Sequence, residues 1–217
     1  MANFTIADIK ALREQLGTGM VDTKKALEEA DGDVEKAVEI LRLKGAKGNA
    51  KRADRSTSEG LVVAREVDGK VTLIELNTET DFVAKNERFI ALADKVVEAA
   101  AAVSADSVEA ALAAPVDGKT VEQLISDEAA IIGEKVELRR VRTLSGDHAE
   151  VYLHKTSKDL PPQVGVVLIY SGDDAETARS IAQHISFANP SYLSRDDVPE
   201  ADVEKEREIV TEISRNE

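Results

Sequence analysis

The stretch LNTETDFVAKN, residues 76–86, gathers the side chains best suited to act on something. Two threonines alternate with Glu79 and Asp81, and Phe82 follows, in a chain with only 3 % aromatic residues. Hydroxyls and short acids at the end of an apolar run suit a helix start, where they accept from N–H groups that lack an intrahelical partner. Asp81 is expected to cap in this way. Phe82 has two readings: a core anchor sharing a helix face with Phe89, or a ring presented outward to be used on something else. The pattern leaves both open.

Other chemistry finds little support. His148, His154 and His184 stand outside any HExxH motif and beside no zinc-spaced partner, and His184 is expected to be structural. No GxSxG elbow occurs. Gly17-Thr18-Gly19-Met20 lacks the third glycine and the preceding strand of a dinucleotide loop, and no Gly-rich turn leads into GKS or GKT. The pairs Asp173-Asp174 and Asp196-Asp197 fall at helix starts, where they complement the macrodipole. Cysteine is absent, which removes disulfides, thiolate metal sites and a cysteine nucleophile. No catalytic residue, metal or cofactor is expected, and an enzyme ranks last among the readings. With 42 acids against 28 bases, the net charge of -14 repels phosphates, so neither nucleic acid nor an anionic membrane is an expected partner. MANFTIADIK has no signal pattern, and no apolar run approaches the ~18 residues of a membrane span. A soluble cytoplasmic protein is expected.

The elements around this segment follow from periodicity. Ile6, Ile9, Leu12 and Leu16 mark a first helix with Thr5 or Asn3 as cap. Asp22 can cap a short second helix carrying Ala26 and Leu27. After Asp31-Gly32-Asp33, a third helix bears Val34, Ala37, Val38 and Leu41 and is expected to end near Gly45. Residues 1–45 thus form a small three-helix docking module. Residues 46–60, KGNAKRADRSTSEG and its flank, read as a linker; if helical, Lys44, Lys47, Lys51 and Arg55 line one basic stripe, which is either solvated or meets an acidic partner.

From Leu61 the pattern turns to strands. LVVAREV and KVTLIEL flank Asp68-Gly69, a strong hairpin signal. A long helix is expected from about Phe82 to Val103, loosely patterned chain from 104 to 120, a helix from Thr120 to about Ile132, and a strand KVELRRVRTL. A second hairpin, EVYLH with VGVVLIY, precedes the helix DAETARSIAQHISFA. Placing Val164 on Val71 brings Tyr170 onto Asn77 and Asp174 onto Asp81, which suggests a duplicated hairpin-plus-helix unit. The units span 61–146 and 147–217. Only the first has a third strand before the chain ends, so the second is expected to be incomplete. The fold class is α+β: three helices, then two subdomains of antiparallel sheet with helices.

LREQLGTGMVDTKKALEEADGDVEKAVEILRLKGAK and ELNTETDFVAKN together resemble the two signature regions of bacterial elongation factor Ts, and the likeness continues through IGEKVELRRV and the second unit. Thr23 and Thr78 stand where members often carry cysteine, which speaks against a thiol role. Long members continue past the EKEREIV helix, so a C-terminally truncated member is implied. The resemblance implies a guanine-nucleotide exchange factor for the GTPase elongation factor Tu, with no covalent catalysis. It implies that the first three helices, like a ubiquitin-associated domain, dock on the partner through Arg13, Met20 and Lys24. It further implies that Thr80, Asp81, Phe82 and Val83 are pushed toward the partner's Mg²⁺ site, and that His154 lies toward its phosphate loop. In that light Phe82 is a wedge. The alternative is a ubiquitin-associated-like adaptor without exchange activity.

Overall fold

The computed structural model describes residues 3–216. Its architecture is α+β, with helices packed on small antiparallel sheets. Helices α1 (Ile6–Leu16), α2 (Met20–Glu29) and α3 (Val34–Arg52) come first. Thr5 caps α1 in a reciprocal box with Asp8. Gly19, not Asp22, is the cap residue of α2; Asp22 lies in its first turn and pairs with Lys44 at 2.5 Å. Ile9, Leu12, Ala26, Leu27, Ala37 and Leu41 close a core between the three helices.

The third helix does not end near Gly45. It runs on to Arg52, because Gly45 serves a helix crossing and not a cap. A Cβ at Gly45 would lie 2.9 Å from the Ala130 Cβ on α7 (Val121–Ile132). Asn49, one turn later, donates to the Ser126 carbonyl on α7 at 2.8 Å. The first part of the expected linker is therefore helix packed on the rest of the chain. Its basic stripe is partly consumed as well, since Lys44 meets Asp22 and Arg55 meets Glu79.

Strands β1 (Glu59–Val67) and β2 (Lys70–Thr78) form the hairpin, with Asp68 at φ 51° and Gly69 at φ 72° in its two-residue turn. β5 (Glu137–Ser145) adds antiparallel to β2, giving the order β1-β2-β5. The expected long helix is broken in two: α4 (Asp81–Ala84), then α5 (Glu87–Ala102), with Asn86 capping α5 by accepting from the Arg88 N–H at 2.9 Å. Phe89, Leu92, Val96 and Val97 of α5 are buried against Leu61, Ile74 and Leu76 of the sheet. Full burial of one such side chain is worth roughly 1.5–3 kcal/mol.

The loosely patterned segment is also ordered. It holds α6 (Val108–Ala113) and a short hairpin, β3 (Pro115–Val116) with β4 (Lys119–Thr120), turning at Asp117-Gly118. Thr120 then caps α7 in a box with Gln123.

β6 (His148–His154) and β7 (Val164–Tyr170) form a separate two-stranded sheet, followed by α8 (Ala175–Ala188) and α9 (Glu200–Asn216). This hairpin lies on the first sheet: a Cβ at Gly165 would sit 3.0 Å from Leu73 Cδ1, and the Val62 N–H donates to the Pro162 carbonyl at 2.8 Å. α8 buries Ala178 and Ala182, while Ile181, Phe187 and Leu193 stay exposed, as do Val203, Ile209, Val210 and Ile213 of α9. His184, expected to be structural, is exposed on α8. Among the described residues no helix is long and apolar enough to cross a membrane.

Candidate partner-binding site

The TETDFV segment leaves β2 at Thr78 and is held from behind by one carboxylate. Glu134, just past Gly133 at the end of α7, accepts the Thr78 hydroxyl at 2.8 Å, the Glu79 N–H at 3.1 Å and the Thr80 N–H at 3.0 Å on Oε2. Its Oε1 accepts the Thr80 hydroxyl at 2.7 Å. The hold is reciprocal, because Glu79 Oε1 accepts the Lys135 N–H at 2.7 Å while Arg55 Nη1 lies 3.1 Å from Oε2. The Lys135 N–H, and after it the Arg55 guanidinium, keep the Glu79 carboxyl below the usual carboxylate range, against the opposing effect of its partial burial. Backbone N–H groups that would otherwise end in water or nowhere are thus satisfied by charged acceptors, the stronger class of hydrogen bond.

Thr80 caps α4: its side chain accepts from the Val83 N–H at 3.4 Å. Asp81, expected to be the cap, is instead the first helical residue and pairs with Lys85 at 3.6 Å. α4 is a single turn, stopped by the Lys85–Asn86 step. Ala84 is fully buried and Val83 packs, half-buried, against the main core. Phe82 points the other way and is 73 % exposed, with the Lys85 ammonium 4.8 Å from its ring centroid. The core anchor is Phe89, which is fully buried. The helix-face argument linking the two rings fails because the chain bends between them.

Of the four tip residues, Thr80 and Val83 therefore fasten the turn, and Asp81 and Phe82 face outward. The helical module reaches the same region. A Cβ at Gly17, in the turn between α1 and α2, would lie 3.1 Å from Arg88 Nη1 and from Ile131. Arg88 itself, at the start of α5, is held by Glu128 at 2.5 Å. Arg13 is exposed at the end of α1; Met20, 43 % exposed, and Lys24 lie one turn apart on α2, with Lys24 3.5 Å from Glu28. His154 is not part of this cluster. It ends β6, exposed, with Nδ1 3.0 Å from the Tyr152 hydroxyl.

Thr23 and Thr78 are buried and hydrogen-bonded: Thr23 to Thr18 at 2.7 Å and to the Gly19 carbonyl, Thr78 to Glu134. Both hydroxyls serve local structure. Among the described residues, no three His, Asp or Glu side chains are grouped to hold a metal ion. Sequence reasoning missed Glu134 and Lys135, and placed Arg55 only in a basic stripe. The one available signal was Glu134 directly after Gly133, a helix-ending glycine that turns the next residues back toward the sheet.

Residues 79–217 match the family model described as Elongation factor TS. The chain is 71 % identical to elongation factor Ts of Leifsonia xyli subsp. xyli and 70 % identical to that of Clavibacter sepedonicus, in each case over the whole chain and 79 % of the relative. The same protein of Tropheryma whipplei is 53 % identical over the same shares. Identity of this extent through the helical module, the tip and the second hairpin places the chain in the elongation factor Ts family of translation elongation factors.

Proposed function

We propose that the chain binds elongation factor Tu in its GDP state and promotes GDP release by disturbing the partner's Mg²⁺ and phosphate site, so that GTP can rebind. The observation that carries this reading is Phe82, a large apolar ring held out on a turn whose own backbone is fixed. Mg²⁺ and the β-phosphate are held by strong electrostatics in a preorganised loop. A factor weakens that grip only by binding better to a rearranged loop than to the nucleotide-bound one. An exposed ring gains its burial, roughly 1.5–3 kcal/mol, when partner side chains part to admit it. Asp81 beside it contributes negative charge near the metal. Factor and nucleotide then weaken each other's binding reciprocally.

In the same reading the first three helices act as a ubiquitin-associated-like docking module, with Arg13, Met20 and Lys24 at its contact face and His154 at a second contact from the second hairpin. The module spans 1–45, the connection 46–60, whose first part is the end of α3, and the two core subdomains 61–146 and 147–217. The protein acts in the cytoplasm, without covalent catalysis. An adaptor lacking exchange activity leaves the exposed Phe82 with no task.

The test is release of labelled GDP from a bacterial elongation factor Tu at fixed Mg²⁺, with and without this protein. Acceleration that saturates with factor concentration is expected. Binding with an unchanged release rate would replace this reading with the adaptor.

A further inference from the structure

We infer that Glu134 is a positioning residue for exchange: it holds the Thr78–Thr80 backbone so that α4 presents Phe82 at a fixed angle. The inference rests on the exchange reading above and adds to it a residue outside the tip. A wedge works only if it resists being pushed back. A single helical turn has little stiffness of its own, since a lone turn fixes several backbone dihedrals for one hydrogen bond. The Thr80 cap contributes one hydrogen bond, at 3.4 Å. The Glu134 carboxylate supplies four more, between 2.7 and 3.1 Å, all on the three residues that lead into the turn.

The junction is tied from both sides. The residue after Glu134 donates its N–H to Glu79, and the Lys135 ammonium reaches the Arg55 carbonyl at 3.2 Å. Arg55 in turn pairs with Glu79. The end of α7, the chain after α3 and the end of β2 thus meet at two carboxylates. Force on Phe82 passes through Thr80 and Glu134 to α7, which is buried through Val121, Leu124, Ile125 and Ala129. The Glu134 hydrogen bonds go to Thr78, Glu79 and Thr80, behind Asp81 and Phe82, so it acts through the tip.

Glu134→Gln keeps the shape, and its carbonyl can take the Oε2 position, but it removes the negative charge from three hydrogen bonds and sets an NH2 group where Oε1 accepted the Thr80 hydroxyl. The experiment compares the unmodified protein with Glu134→Gln, Phe82→Ala and the double variant. It measures the maximal rate of GDP release from elongation factor Tu, the factor concentration for half-maximal release, and amide hydrogen exchange. For Glu134→Gln the expected result is a maximal rate about tenfold lower, the scale of one lost charge-assisted hydrogen bond, at a nearly unchanged half-maximal concentration. Faster exchange at the Glu79 and Thr80 amides should accompany it. In the Phe82→Ala background the same change should add little, because its effect runs through the ring. Glu134→Asp should restore part of the rate. Equal loss with and without Phe82, or a full rate despite mobile amides, overturns the positioning role. Should Glu134→Gln fail to fold, Glu79→Ala opens the same junction from its other side and is judged by the same criteria. Failure of the unmodified protein to release GDP would sink the exchange reading itself, and the amide result would then stand alone as a structural finding.

Discussion

Glu134 and Thr80 are joined twice, the Thr80 N–H to Oε2 at 3.0 Å and its hydroxyl to Oε1 at 2.7 Å. Thr80 also caps α4, so one side chain serves the helix in front of it and the carboxylate behind it. Asp81, lacking either task, pairs only with Lys85 across a half-exposed face.

This separates two neighbouring substitutions. Thr80→Ala removes the cap and one bond to Glu134, and should cost about 1 kcal/mol or somewhat more. Asp81→Ala removes an exposed i,i+4 pair and should cost no more than about 0.5 kcal/mol. Urea unfolding monitored by circular dichroism distinguishes them. Equal losses would mean that Asp81 carries structure the geometry does not assign to it.

Glu79 gives the junction a pH dependence. Its folded pKa lies below the ordinary value, first because of the Lys135 N–H and then because of Arg55. A depressed carboxylate adds stability above its unfolded pKa, near 4.3 for glutamate, and loses it as pH falls through the folded value. The stability gap between the unmodified protein and Glu79→Gln should therefore be full at neutral pH and close progressively below about pH 4. Unfolding curves across pH 3–7 (conditions chosen to bracket roughly that range) check this; a gap that widens on acidification contradicts it.

Two glycines of α3 should respond with opposite signs. Replacing a mid-helix glycine by alanine gains up to about 1 kcal/mol in propensity. At Gly48 the added Cβ meets only the movable Arg52 guanidinium, 3.3 Å away, so Gly48→Ala should be neutral or stabilising. At Gly45 it meets the Ala130 Cβ at 2.9 Å, and overpacking of about 1–3 kcal/mol outweighs the gain. Thermal melts of the two variants should move apart. If Gly45→Ala melts higher, α3 and α7 do not cross closely there.

That crossing also explains what was legible in the sequence. Hairpin and helix periods carried β1, β2, α7 and α8, since Asp68-Gly69 and the spacing of buried residues are local signals. Gly45 misled because a glycine that ends a helix and one that admits a neighbouring helix look alike in one dimension. Asn86 was missed as a cap because apolar spacing continues across it from Val83 to Ile90. Asp117-Gly118 repeats the turn signal of the first hairpin, but its strands are too short to show alternation. Glu134 lies far from Thr80 in the chain, and Gly133 before it signals only that the chain turns back, not which residues the carboxylate holds. The tip's residues could be read from the sequence; what holds them could not.

Phe82 and Phe89 make the final contrast, because the same substitution at each separates a wedge from an anchor. Phe89 is fully buried among Ile74, Leu76 and the α5 side chains, so Phe89→Ala should cost about 3–5 kcal/mol. Any loss of function in that variant should track the unfolded fraction. Phe82 is 73 % exposed and gives up little when truncated, beyond an exposed contact with Lys85. Phe82→Ala should therefore melt within a few degrees of the unmodified protein, since roughly 1 kcal/mol moves a domain of this size by about 2–4 °C. Its maximal rate of GDP release should nonetheless fall sharply at saturating factor. Loss of a transition-state contact lowers that rate, whereas loss of uniform binding raises only the factor concentration required. A strongly destabilised Phe82→Ala protein with normal release per folded molecule would return the ring to a structural role.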